Sequence, residues 1–438
     1  MNTINSDSET TQSSASKFLL FIIIIVLFFI YFSQQDLSYT TRPDDFTFSE
    51  EETSVITSGG VEKRRTFFLV FLFSAIIFIK GKGYSLIIRD SLGLLILANL
   101  SWAMVSFFWA DNPALTGRRI VLLFILNFTA LSISMNVPLR QLPTIVLWVT
   151  APIPIIGFLS EWSLGTSPGL WWFRSADYRF YGTMHAEGQA MNCAMLFLAA
   201  ATMRGKGGRL SRVFFLGVML AAAIFLVLTK ARGPFIATII AFGIFFLCTK
   251  KRSTVVLFSY SIIVILGILI LVFGDALFPS LGSGIHLGRQ ESSGGLSGRV
   301  ELWENLGDFV KERPILGYGL GGFWTEDRTL AIAESHRWQI TESHSIYFDT
   351  VLDLGIIGLV IFLTLVIVAC WRSRRMCVAG DEGGAFALSL LTLLMVDGLA
   401  ASGVLGRGFV TLLLLVVLFG ISLESQLQRA RRVAANDQ

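Results

Sequence analysis

The chain has 438 residues, of which 53% are hydrophobic and only 15% are charged. Soluble domains carry about 25% charged residues, so this composition excludes an ordinary soluble protein and indicates a membrane protein. The formal net charge of +4 is small for this length and does not predict a nucleic-acid-binding surface.

The apolar segments are continuous rather than alternating with polar residues, which predicts membrane-spanning helices and not barrel strands. A spanning helix needs about 20 apolar residues. Twelve segments fit this requirement, so the predicted fold class is an all-α polytopic membrane protein with about 12 transmembrane helices. The twelve are residues 17–33, 66–80, 91–109, 119–136, 141–160, 184–203, 212–229, 233–249, 254–273, 346–371, 385–402 and 406–423.

The chain begins with a polar segment before the first predicted span. Residues 1–16 are rich in Ser, Thr and Asn and are predicted to be a disordered cytoplasmic tail. Lys17 precedes an apolar stretch without a clean cleavage site after it, so residues 17–33 are interpreted as an uncleaved anchor. Residues 34–65 are acidic and without periodicity, which predicts a flexible outer loop within the helical region 17–273.

Lysine and arginine in the short loops predict the orientation, because such loops are enriched in these residues on the cytoplasmic side. With the N-terminus in the cytoplasm, six basic segments lie inside, including residues 372–375 and the tail 424–438. Lys63, Arg64 and Arg65 violate the rule. The last three spans then occupy residues 346–423, and the long segment 274–345 lies on the periplasmic side.

This large loop contains an amphipathic stretch at residues 297–314. Its apolar residues at 302, 303, 306, 309 and 310 form one helical face. Ser297 is expected to cap this helix and Pro314 to end it, with the apolar face lying along the membrane. The following GYGLGG (317–322) is predicted to be a flexible turn and not a dinucleotide fingerprint, because no strand precedes it.

The cysteines do not indicate a metal centre or a crosslink. Cys193, Cys248, Cys370 and Cys377 have no metal-ligand spacing, and none lies in the large loop. We therefore expect no structural disulfide and no zinc site.

Ionisable residues collect at the predicted outer ends of the spans. Such groups are costly in a membrane and tend to mark function. Arginine binds phosphate through a planar fork of donors, and histidine can remove a proton near neutral pH. We therefore expect one outward-facing site for a diphosphate. The group comprises Arg118, Arg119, Arg179, His185, Glu187, Lys230, Arg232, Arg289, Arg299, His344, Asp349, Asp353, Asp397 and Arg407.

Several of these residues also fit structural roles. Arg232 could extend toward the headgroups from a helix end, and Arg299 could contact lipid headgroups. His344 could be an interfacial histidine bonded to a loop carbonyl. Asp397 is interpreted as a member of a structural ion pair.

The remaining acidic and histidine residues leave two alternatives open. Asp349 and Asp353 are four residues apart and share a helix face. They either orient a catalytic base or pair with Arg407. His185 and Glu187 fit either ligand binding or packing.

Four stretches resemble one superfamily of membrane enzymes. His344-Ser345, nine residues and then Gly355-Ile-Ile-Gly358 resembles the His-(Asn/Ser/Gln)-x9-Gly-x-x-(Gly/Thr/Tyr) signature of the O-antigen ligase family. Residues 298–324 resemble the loop of the related O-antigen and exopolysaccharide polymerases. TKARGPFIA (229–237) resembles the superfamily's arginine turn, and residues 176–196 resemble a segment of exopolysaccharide polymerases. The resemblance extends from about residue 90 to residue 420.

The resemblance implies a type-C glycosyltransferase-like fold and a metal-independent, inverting glycosyltransfer at the periplasmic face of the bacterial inner membrane. The implied donor is an undecaprenyl-diphosphate-linked oligosaccharide, and no cofactor is expected. Arg232 and Arg299 would bind the diphosphate, and Arg289 and Arg179 are further candidates. His344 would be the general base, with an imidazole near its ordinary pKa of about 6.5.

The acceptor remains open between two enzymes of this superfamily. A polysaccharide polymerase would join lipid-linked repeat units in exopolysaccharide or O-antigen synthesis, and this is the expected function. A ligase would instead transfer the glycan to lipid A-core or another acceptor in lipopolysaccharide synthesis. A lipid or glycan transporter is a third hypothesis, but internal repeats are lacking and the polar residues gather at one face.

Overall fold

The computed structural model describes residues 3–33, 61–80, 87–163, 178–205, 207–249, 299–336, 340, 342–402 and 408–436. Within these ranges the regular structure is helical and contains no strand, which confirms the predicted class. The helices are α1 (Thr3–Phe32), α2 (Val61–Lys80), α3 (Ser91–Val105), α4 (Pro113–Asn136), α5 (Leu142–Thr150), α6 (Pro152–Ser163), α7 (Ala186–Met203), α8 (Arg209–Leu228), α9 (Arg232–Thr249), α10 (Arg299–Glu312), α11 (Glu326–His336), α12 (Ile346–Val378), α13 (Glu382–Asp397) and α14 (Phe409–Asn436).

Several described helices are long and apolar enough to cross a membrane. Eleven of the twelve predicted spans coincide with a described helix, and residues 254–273 lie outside the described residues. The protein is therefore a polytopic membrane protein, while the count of twelve and the side of each loop stay predictions. The six helical stretches that meet both criteria are Ser91–Trp109, Pro113–Asn136, Leu139–Ser163, Arg209–Leu228, Ile346–Val378 and Phe409–Gln428.

The described helices differ from the predicted segments in three places. Helix α1 begins at Thr3, so residues 3–16 are helical and not disordered as predicted. Helix α2 begins at Val61 and takes in the end of the predicted loop 34–65. Helix α14 continues to Asn436, through nearly all of the predicted tail 424–438.

Local capping explains where other helices begin. Asn112 Oδ1 accepts a hydrogen bond from Leu115 N at 3.0 Å, and Pro113 occupies the first turn of α4. Asp381 caps α13 in the same way, accepting from Gly383 N at 2.8 Å. These side chains satisfy backbone donors that the first helical turn leaves without a partner.

Helix α7 lies at the centre of the bundle and is buried over fourteen of its eighteen residues. It packs against α5, α8, α9 and α13. Its sequence is rich in alanine, and small side chains let helices approach closely in a membrane. The first turn of α7 therefore lies among the ends of several neighbouring helices.

Helix α12 is broken at Gly355, whose φ of 66° lies in the left-handed region. A Cβ at this position would be 2.0 Å from the carbonyl oxygen of Ile315. Ile356 N donates to Pro314 O at 2.9 Å, so the loop after α10 inserts at the break. Only glycine fits this conformation and this approach.

The carbonyls that the break releases from the helix are bonded elsewhere. Tyr318 N donates to Leu352 O at 2.8 Å, and Trp102 Nε1 donates to Leu354 O at 3.0 Å. A Cβ on Gly358 would be 3.3 Å from the Trp102 ring, so Gly358 lies directly against this ring. Both glycines of the predicted signature thus have a packing role, because each admits a close neighbour to α12.

The glycine-rich segment 317–322 is part of this packing. Gly317, Tyr318 and Gly319 are buried, and a Cβ on Gly317 would be 2.6 Å from Leu352 O. The prediction of a flexible turn is therefore wrong, because this loop is packed against both halves of α12.

Candidate active site

Helix α10 confirms the predicted amphipathic helix, and its apolar face packs on protein. Leu302 and Leu306 are fully buried in a cluster with the loop that follows α10. The Trp303 ring stacks on Phe348 of α12, with centroids 5.7 Å apart, and Trp303 Nε1 donates to Ser343 O at 2.9 Å. The expectation that this face contacts the membrane is therefore wrong, since it fixes α10 over the start of α12.

His344 lies in a tight turn directly before α12. Its φ of 53° is in the left-handed region, which non-glycine residues rarely adopt. Ser343 Oγ donates to Ser345 O at 2.8 Å and accepts from Ser345 N at 3.1 Å. Asp349 Oδ1 accepts from Ser343 N and from Trp324 Nε1, both at 3.1 Å. Asp349 therefore holds the turn that presents His344.

The His344 imidazole is largely buried and lies near acidic and basic groups. Its Nδ1 is 3.6 Å from Glu342 Oε1. Burial and, to a smaller extent, the nearby Arg299 guanidinium lower the pKa of His344 to about 4, while Glu187 opposes the shift. The expected value near 6.5 is corrected downward, and the imidazole is neutral at neutral pH.

The ends of α7 and α10 meet at an ion pair. Arg299 Nη2 lies 2.6 Å from Glu187 Oε1, and both side chains are partly exposed. His185 caps α7, since its Nδ1 accepts from Glu187 N at 3.4 Å. His344 interacts electrostatically with all three of these residues. The structure thus brings four predicted residues from three segments into one cluster.

Two further predicted arginines lie next to the turn between α8 and α9. Arg179 Nε donates to Thr229 O at 2.9 Å, which places Arg179 at this turn. Arg232 is the first residue of α9. The backbone of the turn is strained, since Lys230 has a φ of 51°. Arg179 and Arg232 therefore lie at the same end of α9.

Asp397 connects this turn with the Arg299–Glu187 pair. Its Oδ1 lies 3.1 Å from the Cβ position of Gly233, and the residue is only 4% exposed. Asp397 interacts electrostatically with both Glu187 and Arg299. Arg407, the predicted alternative partner of Asp349 and Asp353, lies outside the described residues, as does Arg289.

Asp353 occupies a different environment from His344. It lies beside Arg119 of α4 and near the backbone N–H groups of Gly321 and Phe323. A Cβ on Gly321 would be 1.8 Å from Arg119 Nη1, so the guanidinium lies directly against this loop. The structure thus places Asp353 in the packing of the loop 317–324.

Glu161 of α6 shapes the segment that leads to His185 and was not identified from the sequence. It is 3% exposed, and its Oε1 accepts from Tyr181 N at 3.0 Å and from Gly182 N at 2.8 Å. Its Oε2 accepts from the Tyr178 hydroxyl. A single carboxylate within an apolar stretch is the sequence signal that could have identified it.

Among the residues that the structure describes, no three His, Cys, Asp or Glu side chains are arranged to hold a metal ion. The described part of the cluster instead offers guanidinium groups, carboxylates and imidazoles. This set can bind a phosphate group and accept a proton.

Comparison with known proteins points to one family. The family model described as O-antigen ligase matches residues 217–363. The matched region contains Arg232, Arg299 and His344, together with the break at Gly355. A search of curated proteins gave no match. Residues 217–363 of this membrane protein are therefore similar to the O-antigen ligase family.

Proposed function

We propose that this protein is an inverting glycosyltransferase that uses an undecaprenyl-diphosphate-linked glycan as donor, without a metal ion, at the periplasmic face of the bacterial inner membrane. The observation that carries this proposal is the convergence of the Arg299–Glu187 pair with His344, since Arg299 and His344 both lie in the region that matches the O-antigen ligase family model. This convergence supports a role for His344 as a neutral base and for Arg299 as a phosphate-binding cation.

The proposed reaction is one displacement. The His344 imidazole accepts the proton of an acceptor sugar hydroxyl, and the hydroxyl oxygen attacks the anomeric carbon of the donor. The bond between that carbon and the diphosphate oxygen breaks, and the lipid diphosphate leaves with the electron pair. Attack from the face opposite the leaving group inverts the anomeric configuration.

Guanidinium groups would stabilise the charge that develops on the leaving diphosphate. Arg299 is the candidate nearest to His344, while Arg179 and Arg232 approach from the turn before α9. Asp349 would act as a positioning residue, because it holds the backbone on which His344 is presented.

Polymerisation of exopolysaccharide or O-antigen repeat units is the function we favour, since the loop containing α10 resembles that of polymerases. Transfer of a glycan to lipid A-core or another acceptor is the second candidate, because the matched family model is described as O-antigen ligase. In either case both substrates are membrane-bound or membrane-proximal glycans.

The test uses the purified full-length protein in nanodiscs with a lipid-diphosphate glycan and excess EDTA. Elongation of the glycan without another acceptor would support the polymerase. Transfer only after lipid A-core is added would support the ligase. A matched reaction with magnesium in place of EDTA is the control, and activity that needs the metal would contradict the proposed mechanism.

A further inference from the structure

The cation nearest to His344 in the proposed site is already paired. Glu187 Oε1 lies 2.6 Å from Arg299 Nη2, at the distance that a phosphate oxygen would take from this guanidinium. The two side chains are 27% and 18% exposed, so a ligand can reach them. A donor diphosphate that binds through Nη2 has to displace this carboxylate.

Glu187 is also close to the proposed base. Its carboxylate interacts electrostatically with His344 and His185 as well as with Arg299. When Glu187 leaves Arg299, the two imidazoles are, among the described residues, the remaining nearby groups that can become cations. In the described part of the chain, the charged or titratable groups near Glu187 are Arg299 on α10, His344 and Glu342 before α12, Asp397 on α13, and His185 at the start of α7.

We propose that Glu187 occupies the phosphate position on Arg299 in the empty enzyme, and that the donor diphosphate displaces it toward His344, where it strengthens the imidazole as a base. This inference rests on the proposed function and adds a regulatory role for Glu187. The helix cap fixes the backbone of Glu187, so only the side chain has to move.

The electrostatics of His344 agree with such a switch. In the empty site, burial and the Arg299 charge lower the pKa of His344 to about 4, and Glu187 opposes them. A bound diphosphate neutralises Arg299 and leaves the Glu187 carboxylate free to stabilise the imidazolium. The pKa of His344 therefore rises when the donor binds, so the base becomes stronger only when there is a glycan to transfer.

The first test measures binding without turnover. Undecaprenyl diphosphate is titrated into nanodiscs that contain the wild type, Glu187→Gln or Arg299→Ala. Glutamine is isosteric with glutamate but does not compete for Arg299, so Glu187→Gln should bind about tenfold more tightly, and Arg299→Ala should bind more weakly. Glu301→Gln removes an exposed carboxylate from the first turn of α10 and should bind as the wild type does. Weaker binding by Glu187→Gln would overturn the proposal, because it would show that Glu187 only holds Arg299 in place.

The second test compares pH profiles. In the wild type, the acid limb of kcat, which reports the donor complex, should lie at higher pH than the acid limb of kcat/KM, which reports the free enzyme. In Glu187→Gln the two limbs should lie closer together than in the wild type, because only the neutralisation of Arg299 still raises the pKa of His344, and kcat should fall. Coincident limbs in the wild type would overturn the switch.

Failure of the proposed function would be recognised by a different result. If His344 is not the base, His344→Gln retains full turnover, whatever the binding of undecaprenyl diphosphate to the Glu187 variants shows.

Discussion

Two clusters of charged residues in the described part of this membrane protein satisfy their charges differently. Near the far end of α12, Arg372 Nη1 bonds both carboxylate oxygens of Asp90, at 2.7 and 2.5 Å. Ser422 and Gln426 also donate to Asp90, and Arg372 Nη2 donates to Ser91 Oγ at 2.7 Å. Asp90 is 0% exposed and Arg372 is 5% exposed, so this is a closed network.

The cluster around His344 is open by comparison. Arg299 and Glu187 share one contact and remain partly exposed. Asp397 is buried, yet its Oδ1 has no hydrogen-bond partner among the described residues. Buried polar groups are normally satisfied, and those that are not indicate strain, function or a missing ligand. The comparison indicates that the Asp90–Arg372 network stabilises the fold, while the His344 cluster keeps bonding capacity for a substrate.

Breaking the closed network should give the largest effect on stability. Asp90→Ala would leave the Arg372 guanidinium buried without its counter-charge, which lowers the free energy of unfolding by about 3–5 kcal/mol. Thermal unfolding in detergent should show a lower midpoint, and the double variant Asp90→Ala/Arg372→Met should recover part of it. Activity per folded molecule should not change below the midpoint. An unchanged midpoint would show that the network does not hold α3, α12 and α14 together.

Removing a cation from the open cluster should affect catalysis rather than stability. Arg299→Ala should lower kcat/KM on the order of 10²-fold, because one donor to the developing negative charge is lost. Arg299→Lys should recover only part of this, since lysine lacks the planar fork. Lys311→Ala is the matched control, because it removes the same charge from an exposed position on α10. If Arg299→Ala and Lys311→Ala lowered kcat/KM equally, only the general positive charge of α10 would matter.

The pH dependence should give the smallest change. Protonation removes the proposed base, and in the donor-free enzyme the pKa of His344 is about 4 rather than 6.5. Between pH 7 and 5.5, kcat/KM should therefore fall by only about 3%, whereas an ordinary histidine would lose about 90%. Initial rates at low donor concentration measure this directly. A loss near 90% would show that the Arg299 charge and burial do not act on His344 in the membrane.

The sequence predicted the helices well because each apolar run of about 20 residues is a local signal. It also predicted that Arg299, Glu187, His185 and His344 belong together, since a chain crossing a membrane sorts its loops onto two faces. The Arg299–Glu187 contact was not predictable, because the two residues are 112 positions apart.

Other features depend on tertiary packing that a single sequence does not show. The break at Gly355 forms only because the loop after α10 supplies Pro314 O and Tyr318 N to α12. Arg372 was interpreted as an ordinary loop cation, since its partner Asp90 is 282 residues away. The low pKa of His344 likewise follows from burial, which composition alone cannot give.

The central claim is that the imidazole of His344, beside Arg299, removes the acceptor proton in a metal-independent transfer. The most direct measurement is the single-turnover rate of glycan transfer by His344→Gln in nanodiscs with EDTA, beside the wild type and His336→Gln, a histidine from a different helix. We predict a loss of about 10²–10⁴-fold for His344→Gln, with donor binding retained and His336→Gln fully active. Transfer by His344→Gln at the wild-type rate would contradict the account.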